Sequence, residues 1–181
     1  MSLETTNDVP MLPGGRFVIC AIDPGVTGAI AFYTPECPAL IWVYDMPLVD
    51  NRVNALELRV MIERFKPDVV MIEQVGPMPR DGVRQAWRFA AAFTTAHVVC
   101  ALMGIPISLV SPQKWKKIMG LHGARDGKEY SRKRVIEHFP KCAQYFSRKK
   151  DQSRAEAALL AVYASKGFTV STTEDKHEQR A

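Results

Sequence analysis

The sequence predicts an α/β fold in which a mixed sheet is flanked by helices, and two patterns lead to this prediction. Three short apolar runs joined by tight turns fill positions 17–44, which is typical of an antiparallel meander. An amphipathic run at 54–65 then leads to a continuously apolar run at 69–72. Strand, helix and strand in this order form a crossover, so the fourth strand is expected to lie parallel to the first and beside it.

The elements of the first half follow from local patterns. Strands are predicted at 17–23, 29–33 and 40–44, where apolar and β-branched residues are grouped. Pro24-Gly25 supplies the first turn. The helix at 54–65 ends before Pro67, because proline disfavours helical backbone in the residue that precedes it. The buried strand that follows ends on Glu73.

The second half contains longer helical patterns. An alanine-rich run at 83–103 predicts a core helix, and a helix–helix contact in a dimer is the alternative. Gly104 ends this helix, and a fifth strand follows at 105–110. Pro112 fits the first position of a short helix. A basic helix is predicted at 131–139, and a strongly helical apolar run extends from near Asp151 to Lys166.

Length and composition favour one domain in a reducing compartment. We predict a flexible leader at 1–15, a single domain at 16–168 and a flexible tail at 169–181. The four cysteines are far apart in the sequence, so we interpret them as free thiols in a cytoplasmic protein. The apolar run at 87–103 is interrupted by Arg88 and polar residues, so no membrane span is expected.

The positive charge is concentrated in one segment. The net charge is +5, and positions 114–154 contain 13 Lys or Arg against 4 Asp or Glu. Such a segment is typical of a surface that meets phosphate, although a solvated helix surface is an equally good interpretation of charge alone. The candidates for phosphate contact are Lys114, Lys116, Lys117, Arg125, Lys128, Arg132 and Lys133.

Carboxylates occur where the predicted elements end. Asp23 and Glu73 close two adjacent strands, and the last helix adds Asp151 and Glu156. Asp23 could simply begin its turn, and Ser153-x-x-Glu156 could be a capping box. If all four carboxylates meet, each close pair costs about 4 kcal/mol at 4 Å. Divalent cations relieve this repulsion, and oxygen ligands favour Mg²⁺ or Mn²⁺.

Four motifs in order resemble the RuvC-type Holliday-junction resolvases of the ribonuclease H-like superfamily. Ile22-Asp23-Pro24-Gly25-x-Thr27-Gly28 is similar to their first acidic motif, and Ile72-Glu73-Gln74-Val75 to the second. Residues 110–140, which include Trp115-Lys116, Gly120 and Lys128, are similar to the family's basic C-terminal region. Asp151 and Arg154-Ala155-Glu156-Ala157 resemble the last acidic motif. The resemblance covers about residues 17–166, which is most of the chain.

The resemblance implies a five-stranded mixed sheet, a homodimer, and Mg²⁺-dependent paired nicking of four-way DNA junctions during recombination or repair. It gives metal-ligand and catalytic roles to Asp23, Glu73, Asp151 and Glu156, which would hold two Mg²⁺ ions or, in their place, Mn²⁺. Ser153 stands where many bacterial members have Asp, so Asp151 is taken as its substitute. Gly76 replaces an aromatic wedge residue, for which Met78 is a weak substitute, and indicates the phage or mobile-element branch.

Other functions remain open from the sequence alone. A non-catalytic protein that binds branched DNA would also fit the departures at Ser153, at Gly76 and at Glu156, which stands where the family more often has Asp. Another ribonuclease H-like nuclease could act on hybrids or flaps. Asp23-Pro24-Gly25-x-Thr27-Gly28 also resembles the first phosphate loop of sugar kinases and actin-like ATPases, but those proteins need two lobes and this chain has room for one. His122 in the basic loop is a minor candidate for proton transfer.

Overall fold

A central five-stranded sheet organises the molecule and confirms the predicted α/β class. The computed structural model describes residues 15–74, 76, 82–121 and 127–167, without the side chains of 127 and 128. Within these residues the main strands are β1 (Ile19–Asp23), β2 (Ala29–Tyr33), β3 (Trp42–Asp45), β6 (Val69–Glu73) and β7 (Ile107–Val110).

The sheet has the topology that the sequence predicts. Its order is β3-β2-β1-β6-β7; β1 pairs antiparallel with β2, and β2 antiparallel with β3. β6 lies parallel to β1, with Ile22 opposite Ile72, and β7 lies parallel to β6. The strand–helix–strand crossover therefore places the ends of β1 and β6 at one edge of the sheet.

Five α-helices surround the sheet in the described part of the chain. They are α1 (Ala55–Phe65), α2 (Val83–Leu102), α3 (Pro112–Ile118), α4 (Gly127–His138) and α5 (Gln152–Gly167). Asn54 caps α1, since its side chain accepts a hydrogen bond from the Glu57 amide.

Each face of the sheet carries its own apolar core because alternate strand residues point to opposite faces. Ile19 and Ala21 pack in one core with α3, α4 and α5, whereas Cys20 and Ile22 pack in the other with α1 and α2. The core on the α5 side includes five alanines of that helix, which let it approach the sheet closely: Ala155, Ala157, Ala158, Ala161 and Ala164. Ala29 and Ala31 on β2 are small residues of the same core.

The structure differs from the sequence-based prediction in several local features. A small hairpin of β4 (Leu48–Val49) and β5 (Arg52–Val53) was not predicted. Its turn residues Asp50 and Asn51 both have positive φ, of 48° and 58°. The loop expected at 120–127 meets α4 at Gly127, earlier than predicted, and 3₁₀ turns at Pro140–Phe146 and Lys149–Asp151 lead into α5.

Helix α2 is only half a core helix. Its buried residues, Ala92, Ala96, Val99 and Cys100, face the sheet. On the opposite side Val83, Trp87 and Leu102 are exposed. No helix in the described part of the chain is long and apolar enough to cross a membrane.

Candidate active site

The two strand-terminal carboxylates point to the same face of the sheet. Ile19 and Ala21 on β1, and Val69 and Met71 on β6, belong to the core beneath α5. Asp23 and Glu73 continue these alternations, so their side chains share that face. The parallel register brings them to adjacent strand ends. This is the convergence that the sequence predicts.

The turn after Asp23 explains why its motif contains glycine. The Gly28 amide donates a hydrogen bond of 3.0 Å to the Gly25 carbonyl, which closes the turn. A Cβ at Gly28 would collide with the Asp23 carbonyl oxygen. The Met46 amide then donates to the Gly28 carbonyl at 2.9 Å, so the turn is also tied to the end of β3. The backbone that presents Asp23 is therefore fixed on both sides.

Glu73 is held by a tryptophan from α3. The Trp115 Nε1 donates a hydrogen bond of 2.7 Å to Glu73 Oε1, and both side chains are buried. The sequence identifies Trp115 as a family motif residue but does not show that it contacts Glu73. A buried indole N–H needs a hydrogen-bond acceptor. Because the motifs that contain Glu73 and Trp115 are expected to lie close together, Glu73 was the acceptor that the sequence could have indicated.

Glu156 reaches the group from the first turns of α5. Its Oε2 accepts a hydrogen bond of 2.9 Å from Lys116 Nζ, and its Oε1 accepts one of 3.0 Å from Gln152 Nε2. The capping box between Ser153 and Glu156, which the sequence allowed, is therefore not formed. Helix α5 already begins at Gln152, so Ser153 lies within the helix. Lys116 also lies over the Trp115 ring, 5.3 Å from its centroid. The ammonium is the one cation shared by this group in the described residues.

The negative charges of the group act on one another. Burial raises the pKa of Asp23 well above its usual value, and the charges of Glu73 and Glu156 raise it further. Lys116 and hydrogen bonding from Ser153 oppose this rise. Burial also raises the pKa of Glu73, with the Trp115 hydrogen bond and Lys116 opposing it. Burial would lower the pKa of Lys116, but Glu156, Glu73 and Asp23 together raise it.

Asp151 does not join this group in the structure. Its side chain is 2% exposed and accepts hydrogen bonds from Arg148, at 2.8 Å from the backbone amide and 2.7 Å from Nη2. Burial works against these bonds, but they hold the pKa of Asp151 below its usual value. Ser153, the residue for which Asp151 was expected to substitute, is the one that faces Asp23. The geometry therefore favours a structural role for Asp151.

The donor set fits a hard divalent cation in chemistry but is not arranged as a ligand cage. Asp23, Glu73 and Glu156 offer only carboxylate oxygens, which Mg²⁺ and Mn²⁺ prefer. Three acids share one ammonium here, so an additional cation would be favoured. In the described part of the chain, however, no three acidic, His or Cys side chains already have metal-ligand spacing. Glu156 would have to release Lys116 or Gln152 to bind a metal, whereas Glu73 can keep Oε1 on Trp115 and offer Oε2.

The predicted phosphate-binding residues divide into exposed and internal ones. Lys114, Lys117 and Lys133 are exposed. Arg132 is 8% exposed and holds the chain together through hydrogen bonds to the carbonyls of Phe146, at 2.9 Å, and Ser147, at 2.7 Å. Lys116 is paired with Glu156. Arg125, His122, Met78 and the side chain of Lys128 lie outside the described residues.

Comparisons with known proteins identify the fold. No family model matches the sequence, and no curated protein does. A Thermus thermophilus RuvC structure superposes with a TM-score of 0.54 at 17% identity, covering 83% of this chain and 97% of that one. T. thermophilus RuvC in complex with a Holliday junction substrate gives a TM-score of 0.53 at 14% identity, covering 83% and 93%.

The chain has the RuvC fold. The predicted resemblance and the predicted ribonuclease H-like sheet are confirmed at this level. The sheet topology also accounts for the site, because the parallel register places the ends of β1 and β6 together on the face that α5 covers. The phage or mobile-element branch stays a prediction.

Proposed function

We propose that this protein is a metal-dependent endonuclease that resolves four-way DNA junctions by paired phosphodiester nicks. The observation that carries the proposal is the meeting of Asp23, Glu73 and Glu156 at one sheet edge, in a chain with the RuvC fold. A structure with that fold is of RuvC with a Holliday junction substrate. The repulsion among the three carboxylates would be relieved by a bound divalent cation.

Each residue of the group has a separate task in this proposal. Asp23, Glu73 and Glu156 would hold Mg²⁺ or Mn²⁺, which in nucleases activates water and stabilises the leaving oxygen. Trp115 keeps the Glu73 carboxylate oriented through its hydrogen bond. Lys116 balances the acids and places a positive charge at the edge where a phosphate would lie. Ser153 supports Asp23 without adding a charge.

The exposed lysines of α3 and α4 would hold the DNA backbone. Lys114 and Lys117 flank Lys116 on α3, and Lys133 lies on α4. Lysine contacts to phosphate fix position without reading sequence. Arg132 is removed from this proposed set because its guanidinium is satisfied within the fold. Arg125 and Lys128 stay in it as proposals from the sequence.

A homodimer is part of the proposal, because two nicks in opposed strands need two active sites. The exposed face of α2 carries a mostly apolar stripe with spacings of three, four and seven, as in helix pairs. Its large members are well exposed, with Val83 at 89% and Val98 at 45%. We call it the α2 stripe, and its members are Val83, Ala90, Thr94, Val98 and Ala101; Trp87 lies outside it, beside Arg88.

One cleavage experiment tests the proposed function. Purified protein is incubated in Mg²⁺ and in Mn²⁺ with a synthetic four-way junction and, in parallel, with a flap and an RNA–DNA hybrid. We expect paired nicks in the junction, and an Asp23→Asn variant that binds the junction without cutting it. If the protein cleaves the hybrid or the flap but leaves the junction intact, the four-way junction is not its substrate. Equal cleavage by Asp23→Asn would overturn the site.

A non-catalytic junction-binding protein is the second candidate. The contacts of Glu156 with Lys116 and Gln152, and of Glu73 with Trp115, favour it, because they use oxygens that a metal would need. This candidate predicts tight junction binding with no nick in either metal at any junction sequence. Any metal-dependent cleavage that Asp23→Asn abolishes would exclude it.

A further inference from the structure

A second positively charged surface lies on the other side of the turn that follows Asp23. Two adjoining hollows, of about 600 and 500 Å³, run between α2, the β4–β5 hairpin and this turn. Both are lined by Val26, Arg84 and Arg88, so they form one continuous depression. The larger hollow adds Arg52 from the hairpin and Trp87 from α2. We call this depression the arginine groove.

The arginines of the groove are available to a ligand. Arg52, Arg84 and Arg88 are all exposed. None of their side chains makes a hydrogen bond or an ion pair with another described residue. Other arginines differ: Arg59, Arg148 and Arg154 are each paired with a carboxylate, as is Arg132. Asp50 is the one acid that lines the groove within the described residues, so the groove keeps a positive balance.

The groove is separate from the α2 stripe. Arg84 and Arg88 are four positions apart, so they share one side of the helix. The stripe residues Ala90, Thr94 and Ala101 lie on the neighbouring side, away from the hairpin. A second copy of the chain on the groove would bring like charges together without compensation. Phosphate is the better partner, since guanidinium groups bind phosphate oxygens in pairs of hydrogen bonds.

We propose that the arginine groove binds the DNA strand that continues past the cut site, with its phosphates on Arg52, Arg84 and Arg88. This inference rests on the proposed nuclease function, because the turn connects groove and site. Gly25 and Val26 line the groove and follow Asp23 by two and three residues. Val26 therefore lies within about 11 Å of Asp23 between Cα atoms, which a DNA strand spans in a few nucleotides.

Trp87 supplies a base-stacking surface in the same groove. Its side chain is 75% exposed on the described surface, and it lines the larger hollow beside Arg88. An exposed indole next to arginines is the combination that single-stranded nucleic acid uses, with stacking for bases and cations for phosphates. The groove is thus suited to a strand whose bases are unpaired near the junction centre.

The test compares two double variants that lose the same charge. Both are made in the Asp23→Asn background without divalent metal, so that binding is measured without cleavage. Arg84→Ala/Arg88→Ala removes two groove arginines, and Arg59→Ala/Arg64→Ala removes two from exposed positions on α1. Junction affinity is measured from 50 to 300 mM salt. We expect the groove variant to lower the slope of log K against log salt by about 2.

The affinity of the groove variant should fall on the order of tenfold at physiological salt, with the α1 variant close to the parent. Trp87 gives a second readout, since Trp115 is buried and Trp42 is partly buried. DNA should protect the indole fluorescence from iodide, and Trp87→Phe should abolish that protection. If the two double variants have the same salt dependence of junction binding, and DNA does not protect Trp87 from iodide, the proposal that the groove binds DNA is wrong.

The same experiment separates this inference from the proposed function. If the parent protein binds the junction and the two double variants behave alike, the proposed role of the groove is wrong and the proposed nuclease function is unaffected. If junction binding depends on the groove arginines but the wild-type protein never cuts, the proposed nuclease function is wrong and the groove remains a DNA-binding surface. A parent that binds no junction removes both.

Discussion

The Trp115 indole and the Glu73 carboxylate form a buried hydrogen bond of 2.7 Å that joins α3 to the end of β6. The bond crosses between two sequence motifs that are 42 residues apart. It fixes which way Glu73 faces, because a buried carboxylate without this donor would lose its main partner. The orientation of the candidate active site therefore depends on a residue that carries no charge.

Trp115→Phe tests this relationship. Phenylalanine keeps most of the packing but removes the donor, so we expect the free energy of unfolding to fall by about 1–3 kcal/mol. Junction cleavage should fall at least tenfold at temperatures where the variant stays folded. Trp42→Phe is the matched control, because Trp42 packs against Phe65 on the opposite side of the sheet. Cleavage by Trp115→Phe at the wild-type rate would show that Glu73 needs no positioning.

The raised pKa of Asp23 predicts an unusual pH dependence of stability. Burial, Glu73 and Glu156 raise this pKa in the folded state, so folding favours the protonated form. The metal-free protein should therefore lose stability as pH rises from the unfolded pKa, about 3.9, through the raised folded pKa. Asp23→Asn avoids this loss, so it should melt higher than the wild type at pH 7 and not at pH 3.5.

Thermal unfolding in EDTA measures this difference. Each kcal/mol should appear as about 2–4 °C in Tm for a chain of this size. Asp50→Asn, in the exposed hairpin turn, is the control for loss of a carboxylate and should melt like the wild type at pH 7. If Asp23→Asn melts lower than the wild type at pH 7 in EDTA, the acids are not in electrostatic conflict and the need for a cation disappears.

Asp151→Asn separates the sequence-based role of this residue from the structural one. The pKa of Asp151 is lowered, because its bonds with Arg148 outweigh the effect of burial. Its contribution to stability is therefore present above the unfolded pKa and lost on acidification through the folded pKa. We expect the variant to lose about 1–3 kcal/mol at pH 7 but to cut junctions at the wild-type rate. Lost cleavage with unchanged stability would restore Asp151 as a ligand.

The sheet could be predicted because its signals are local or follow topological rules. The parallel placement of β6 beside β1 followed from one crossover, and it brought Asp23 and Glu73 together. The hairpin of β4 and β5 was missed because each strand has only two residues. Asp50-Asn51, a pair suited to positive φ, was the signal that could have revealed it.

The candidate site was predictable only in part, because the direction of a side chain near a helix start depends on tertiary contacts. Asp151 and Glu156 both fit the last acidic motif, and spacing could not tell which would face β1. Arg148 decided the matter for Asp151, and Lys116 did so for Glu156. Ser153 looked like a helix cap, but α5 begins before it and turns it toward Asp23.

The α2 stripe predicts a dimer that one charge can break. Val98→Glu places a carboxylate in the middle of the exposed apolar face, where a partner helix would bury it. Light scattering should show a wild-type dimer and a Val98→Glu monomer with the same circular dichroism. Val60→Glu on α1 is the control, since Val60 is similarly exposed, at 54% against 45% for Val98. A wild type that is monomeric at micromolar concentration would contradict the paired-site proposal.

Manganese binding by titration calorimetry, with the wild type and four variants, tests the central claim most directly. We expect the wild type to bind Mn²⁺, Asp23→Asn, Glu73→Gln and Glu156→Gln each to weaken binding at least tenfold, and Asp151→Asn to bind like the wild type. Binding that survives the loss of Asp23 and Glu73, or that only Asp151→Asn removes, would contradict it.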